Sequence, residues 1–119
     1  MDIKRKRELL QAYREMPTYY GVIQIKNNEN GKIFIETVPN TKNRWNYYKL
    51  NLNENFFVNS ELQKEWNQYG EAAFSFEVLW EKKTDDVTNM KDELKKLKKL
   101  WLEKLQPFGE KGYNKPMKD

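Results

Sequence analysis

One stretch of this chain leaves little freedom in how it folds: Tyr20 to Thr37, reading YGVIQIKNNENGKIFIET. Two runs of strand-forming residues flank an Asn30-Gly31 pair, one with Val22, Ile23 and Ile25, the other with Ile33, Phe34 and Ile35. β-Branched and aromatic side chains suit a pleated surface, and Asn-Gly closes hairpins because both residues accept positive φ at small cost. Asn27, Asn28 and Glu29 precede the pair, so the loop is longer than the two-residue minimum. A β-hairpin is the expectation.

The flanking segments carry their own signals. Ile3 to Met16 has Leu9, Leu10, Tyr13 and Met16 at helical spacing and ends at Pro17, which predicts an amphipathic helix. Its basic start, Lys4-Arg5-Lys6-Arg7, is either a solvated face or an arm for phosphates. After the hairpin, Pro39 and Asn40 break the strand, and Asn40 or Thr41 is placed to cap a short helix to about Lys49. Asn51 to Asn59, with Phe56-Phe57-Val58 inside it, reads as a loop anchored by aromatics. Ser60-Glu61-Leu62-Gln63 has the form of a capping box; Leu62, Trp66 and Tyr69 line the helix that follows, and Gly70 stops it. Phe74 to Glu81 alternates with period two, predicting a strand with Phe74, Phe76, Val78 and Trp80 on one face. Thr88 to Leu105 has an apolar stripe of Met90, Leu94, Leu97, Trp101 and Leu105 and reads as the longest helix. The sum is an α+β fold, a small three-stranded antiparallel sheet flanked by helices, with an N-terminal helix. It divides into that helix at residues 1–17, one domain at 18–114 and a tail at 115–119.

Composition narrows the chemistry. A chain of 119 residues makes one domain, and four Trp, seven Tyr and six Phe supply core area that an apolar fraction of 38% would not suggest. Charged residues make up 34% but are interleaved with apolar ones, which favours a globular chain over a disordered one. The absence of cysteine excludes disulfides and thiolate metal sites; the absence of histidine excludes imidazole acid–base catalysis and His-ligated zinc. Catalysis would have to rest on carboxylates, Lys, Arg, Tyr or a carboxylate-bound hard cation. A net charge of +4 suits a nucleic-acid partner, weakly. With no signal peptide and no run of about 18 apolar residues, the expectation is a soluble, cytoplasmic protein without a membrane partner.

Gly21-Val22-Ile23, followed after about ten residues by Phe34-Ile35-Glu36, resembles the paired motif of the GIY-YIG nuclease superfamily. Asn27 and Gly31-Lys32 sit where that family has its strand turn. Asn59 to Gly70 followed by Phe74 to Leu79 is similar to the helix-then-strand of small bacterial or phage GIY-YIG proteins. Trp101 to Gly109 and Gly112-Tyr113-Asn114 resemble the closing helix and terminal Tyr-Asn, so the resemblance covers roughly residues 8–114.

The resemblance implies a phosphodiesterase site of two motif tyrosines, an arginine and a glutamate, working with one divalent cation, usually magnesium. Carried onto this chain, the tyrosine positions hold Ile23 and Phe34, and the glycine closing the second motif is Glu36. The arginine is matched by Arg44, a histidine often found after it is Tyr48, and the late asparagine is Asn114. The metal-binding glutamate falls at Lys98, nine residues before Pro107. A protonated lysine has no acceptor and does not ligate magnesium; Glu93 and Glu103 project from other faces of the same helix.

The expectation is a nuclease scaffold that has lost hydrolysis and works by binding nucleic acid or a protein partner, with no cofactor. Arg44, Lys98 and Asn114 are its candidate phosphate contacts, and Trp45, Tyr47 and Tyr48 form a candidate exposed aromatic cluster for the partner. Each residue also has a plain structural reading: Ile23 and Phe34 as strand core, Glu36 and Arg44 as surface residues, Lys98 as a side chain snorkelling past the core, Asn114 as a turn residue. Two other functions remain open. One is an active magnesium-dependent endonuclease with a displaced site, in which Tyr19 or Tyr20 replaces the lost tyrosine and Glu36 holds the metal. The other is a regulatory or inhibitor protein of a mobile element. Sequence does not give the oligomeric state.

Overall fold

The computed structural model describes residues 17–116, so the predicted helix over Ile3 to Met16 lies outside the described residues. The elements are β1 (Tyr19–Asn27), β2 (Ile33–Val38), α1 (Arg44–Asn53), α2 (Ser60–Tyr69), β3 (Phe74–Lys83) and α3 (Met90–Leu105). The sheet is antiparallel throughout, in the order β2-β1-β3. This is the α+β architecture the sequence predicts.

The hairpin pairs Gly21 with Val38 and Lys26 with Ile33. Its loop closes when the Asn27 carbonyl accepts from the Gly31 N–H at 2.8 Å, while the Asn27 N–H donates to the Lys32 carbonyl at 2.9 Å. Gly31 takes φ 79°, whereas Asn30 stays outside the left-handed region and uses its side chain to accept from the Lys32 N–H at 3.0 Å. The turn therefore needs positive φ at the glycine alone.

Alternation along β1 splits the core in two. Ile23 and Ile25 join Phe34, Val38, Tyr48, Leu52, Leu62 and Trp66 on one face, under α1 and α2. Tyr20 and Val22 join Ile35, Leu97 and Leu102 on the other, under α3. Fully burying side chains of this kind stabilises by roughly 1.5–3 kcal/mol each, before the entropy of ordering them.

β3 departs from the alternation expected of it. Val22 pairs with Trp80 but Ile23 pairs with Val78, so Leu79 is an extra residue and the strand carries a bulge. The bulge turns Trp80 to the α3 face, where its ring meets Tyr20 edge-on at 5.5 Å, and leaves Val78 exposed. Only Phe74 and Phe76 keep the expected face. The bulged backbone also runs against β1: a Cβ at Gly21 would lie 2.1 Å from the Trp80 carbonyl oxygen. Glycine is therefore required at Gly21 by close approach of another strand.

The helices are cut differently from their sequence signals. α1 starts at Arg44, after Asn43 in the left-handed region (φ 56°) with no side-chain cap, and runs to Asn53 instead of ending near Lys49. Burial of Tyr48 and Leu52, one turn apart, outweighs the poor helix propensity of its asparagines. α2 is capped by Asn59, whose side chain accepts from the Leu62 N–H at 2.9 Å, and not by Ser60. Gln63 is pulled away from the box to donate to the Leu52 carbonyl at 2.9 Å. α3 begins at Met90 with Asn89 as its cap.

Candidate nucleic-acid interface

β2 is an edge strand, and the chain's last described segment lies along its outer side. The Tyr113 N–H donates to the Ile33 carbonyl at 2.9 Å. The Asn114 side chain then clasps Ile35: its Oδ1 accepts from the Ile35 N–H and its Nδ2 donates to the Ile35 carbonyl, both at 2.8 Å. A single amide thus does what another strand would do for that residue. Asn27 donates to the Tyr113 hydroxyl at 3.2 Å and Asn59 to its carbonyl at 2.8 Å, which fix the clasp from the core side.

Where the clasp ends, a cleft of about 500 Å³ opens, bounded by Phe34, Glu36, Val58, Lys98, Asn114 and Lys115. A narrower groove of about 210 Å³ shares Phe34, Glu36 and Val58 and continues to Arg44, Tyr47 and Tyr48. The fold therefore brings Phe34, Glu36, Arg44, Tyr47, Tyr48, Lys98 and Asn114 to adjoining surfaces. Ile23 pairs with Glu36 across the hairpin but is fully buried in the core beneath.

Lys98 Nζ lies 3.4 Å from Glu36 Oε1, and the same carboxylate oxygen accepts from the Thr37 N–H at 3.0 Å. Both side chains are about one-third exposed, so the pair is an inexpensive neutralisation rather than a strong clamp. Arg44 differs. Among the described residues it has no ion pair, its Nε is buried without a hydrogen-bond partner, and its guanidinium lies 4.5 Å from the Tyr47 ring and 5.3 Å from the Tyr48 ring. The Tyr48 hydroxyl is also buried without a partner. Burial pushes the Tyr48 phenol up to about 12, outweighing the opposite pull of Arg44, so the group keeps its proton.

The aromatic cluster is exposed at one position only. Tyr47 is 51% exposed, but Tyr48 is 4% exposed, and Trp45 stacks on Phe76 at 5.4 Å and meets Trp66 edge-on at 6.0 Å. A helix turns successive residues by about 100°, so three aromatics within four positions do not share a face. The loop after α1, expected to be anchored by its aromatics, is anchored by one of them. Phe57 anchors it, with its ring 5.5 Å from Phe34 and 5.8 Å from Tyr48. Phe56 and Val58 point outward, 75% and 94% exposed. The signal was there: period-two spacing around an anchored Phe57 sends its neighbours the other way.

A divalent cation, which the family resemblance brings with it, does not fit this donor set. Hard cations gather several oxygens, and of the two carboxylates lining the cleft Glu36 is paired with Lys98 and Glu61 with Lys32. Among the described residues no three acidic, histidine or cysteine side chains come together.

The antiparallel sheet in the order β2-β1-β3, with this succession of helices, is that of a GIY-YIG-type domain, and likeness to solved structures supports membership of the GIY-YIG superfamily. Among solved structures it is similar to the catalytic domain of the intron endonuclease I-TevI in a glutamate-to-alanine mutant, with 25% identity and a TM-score of 0.67 over 81% of this chain and 92% of that one. A second structure, the catalytic domain of the homing endonuclease I-TevI, aligns with the same TM-score at 22% identity, covering 82% of this chain and 99% of that one. No protein-family model and no curated protein sequence matches the chain. Among the described residues no helix is long and apolar enough to cross a membrane.

Proposed function

We propose that this GIY-YIG-type domain binds nucleic acid along the cleft at β2 and does not cut it. The observation that carries this reading is the 3.4 Å contact between Lys98 Nζ and Glu36 Oε1, beside an arginine that has no acidic partner among the described residues. Hydrolysis of a phosphodiester with a hard cation needs free oxygen ligands and a positioned water; here the carboxylate is occupied and the motif positions hold Ile23 and Phe34. Phosphate binding needs less. A guanidinium offers planar donors matched to phosphate oxygens, and the Lys98–Glu36 pair leaves the positive charge of Arg44 unopposed within the groove. The structural likeness to the catalytic domain of an endonuclease supports nucleic acid as the partner class.

Gel retardation of DNA at low salt tests the reading. The wild-type chain retards DNA, Arg44→Ala removes most of the shift, and the shift weakens steeply as salt rises. Cleavage products that disappear in both Arg44→Ala and Glu36→Gln would show instead an active nuclease with a displaced metal site.

A further inference from the structure

The narrower groove carries two features that phosphate binding alone leaves unused. The first is an apolar rim. Phe56 (75% exposed), Val58 (94%) and Tyr47 (51%) line it together, although nothing in folding rewards their exposure. Phe56 is also held in place: its N–H donates to the Asn51 carbonyl at 2.9 Å, and the next residue, Phe57, is wedged between Phe34 and Tyr48. The second is a pair of buried polar atoms without partners, Arg44 Nε and Tyr48 Oη. Buried polar atoms are nearly always satisfied, and both of these can donate. Arg44 and Glu36 are the charged residues lining the groove, and Lys98 neutralises Glu36. Among the described residues the groove therefore presents one unmatched positive charge, two unmatched donors and a fixed aromatic ledge.

We propose that its occupant is an unpaired stretch of nucleic acid, with a phosphate on Arg44 and Tyr48 and a base laid against Phe56. This rests on the nucleic-acid reading above and adds strandedness to it. A phosphate supplies the acceptors and charge that Arg44 and Tyr48 lack. A base supplies a flat π-face, which a single strand leaves open and a duplex keeps inside its stack. The contact is tolerant of base identity, because the ledge offers no hydrogen bonds to a base edge.

The test is fluorescence anisotropy of the full chain with fluorescein-labelled oligothymidylate and with a duplex of equal length, at low salt. The single strand binds more tightly than the duplex. Phe56→Ala weakens single-strand binding by about tenfold and leaves duplex binding unchanged, while Phe56→Trp retains the single-strand affinity. Because Phe56 is mostly exposed, its variants keep the wild-type melting temperature. Equal affinity for both forms, or no effect of Phe56→Ala, overturns this inference while leaving the broader reading intact so long as Arg44→Ala still abolishes duplex binding. No binding of either form overturns both and points the groove to a protein partner.

Discussion

On one side of Phe34 and Glu36 the cleft wall is closed: Asn114 spends both ends of its amide on Ile35, and Lys98 sits on Glu36. On the other side the wall is open: Arg44 Nε and the Tyr48 hydroxyl are buried and unmatched, and Phe56 and Val58 face solvent. The two walls differ in what they lack. On the closed wall Asn114 and the Lys98–Glu36 pair are matched, so those side chains are explained by the fold. Among the described residues the open wall lacks acceptors and apolar cover, which is what the proposed nucleic-acid partner would supply.

Breaking the closed wall has the largest expected effect, and the effect is on stability. Asn114→Ala leaves the Ile35 N–H and carbonyl without the side-chain partners they now have, and costs about 2–4 kcal/mol in urea unfolding. A cost below about 0.5 kcal/mol would mean water replaces the clasp freely. Arg44→Ala is the counterpart on the open wall. It removes nucleic-acid binding while changing unfolding stability by less than about 1 kcal/mol, since no ion pair within the described residues is lost.

Tyr48→Phe sharpens the contrast further. Deleting a buried hydroxyl that makes no well-formed hydrogen bond costs little, so stability at neutral pH stays within about 0.5 kcal/mol of wild type or rises. The same variant alters the alkaline limb. Burial pushes Tyr48 and Tyr113 up from an ordinary value of 10.0 to about 12. Between those values the unfolded chain loses phenolic protons that the folded chain keeps, so stability is unaffected below pH 10 and falls as pH rises toward 12. Tyr48→Phe makes that fall shallower, which a series of melts at alkaline pH measures. The surface pair also contributes little: Lys98→Ala costs less than about 1 kcal/mol, because both partners are partly solvated.

Local pattern made much of this molecule legible. The hairpin, α2, α3 and the α+β class follow from Asn30-Gly31, from Gly70 and from the stripe through Met90, Leu94 and Leu97. What escaped depends on residues far apart in sequence. The bulge at Leu79 is invisible to a period-two count, because it arises where β3 meets Gly21. α1 outran its asparagines because Tyr48 and Leu52 bury against α2 and the sheet. The candidate site was legible as a set: Glu36, Arg44, Lys98 and Asn114 do converge on one edge of the sheet. Their individual circumstances were not. Nothing local says that Asn114 reaches 79 residues back to Ile35, that Lys98 finds Glu36, or that Tyr48 turns inward while Tyr47 turns out.

The central claim is that the cleft holds nucleic acid without hydrolysing it. Incubating the purified chain with supercoiled plasmid and either magnesium or manganese, and reading mobility shift and nicking on one gel, tests it most directly. The expected result is retarded but intact plasmid with both metals. Nicked or linear plasmid that requires the metal, and that Arg44→Ala and Glu36→Gln each abolish, would contradict it.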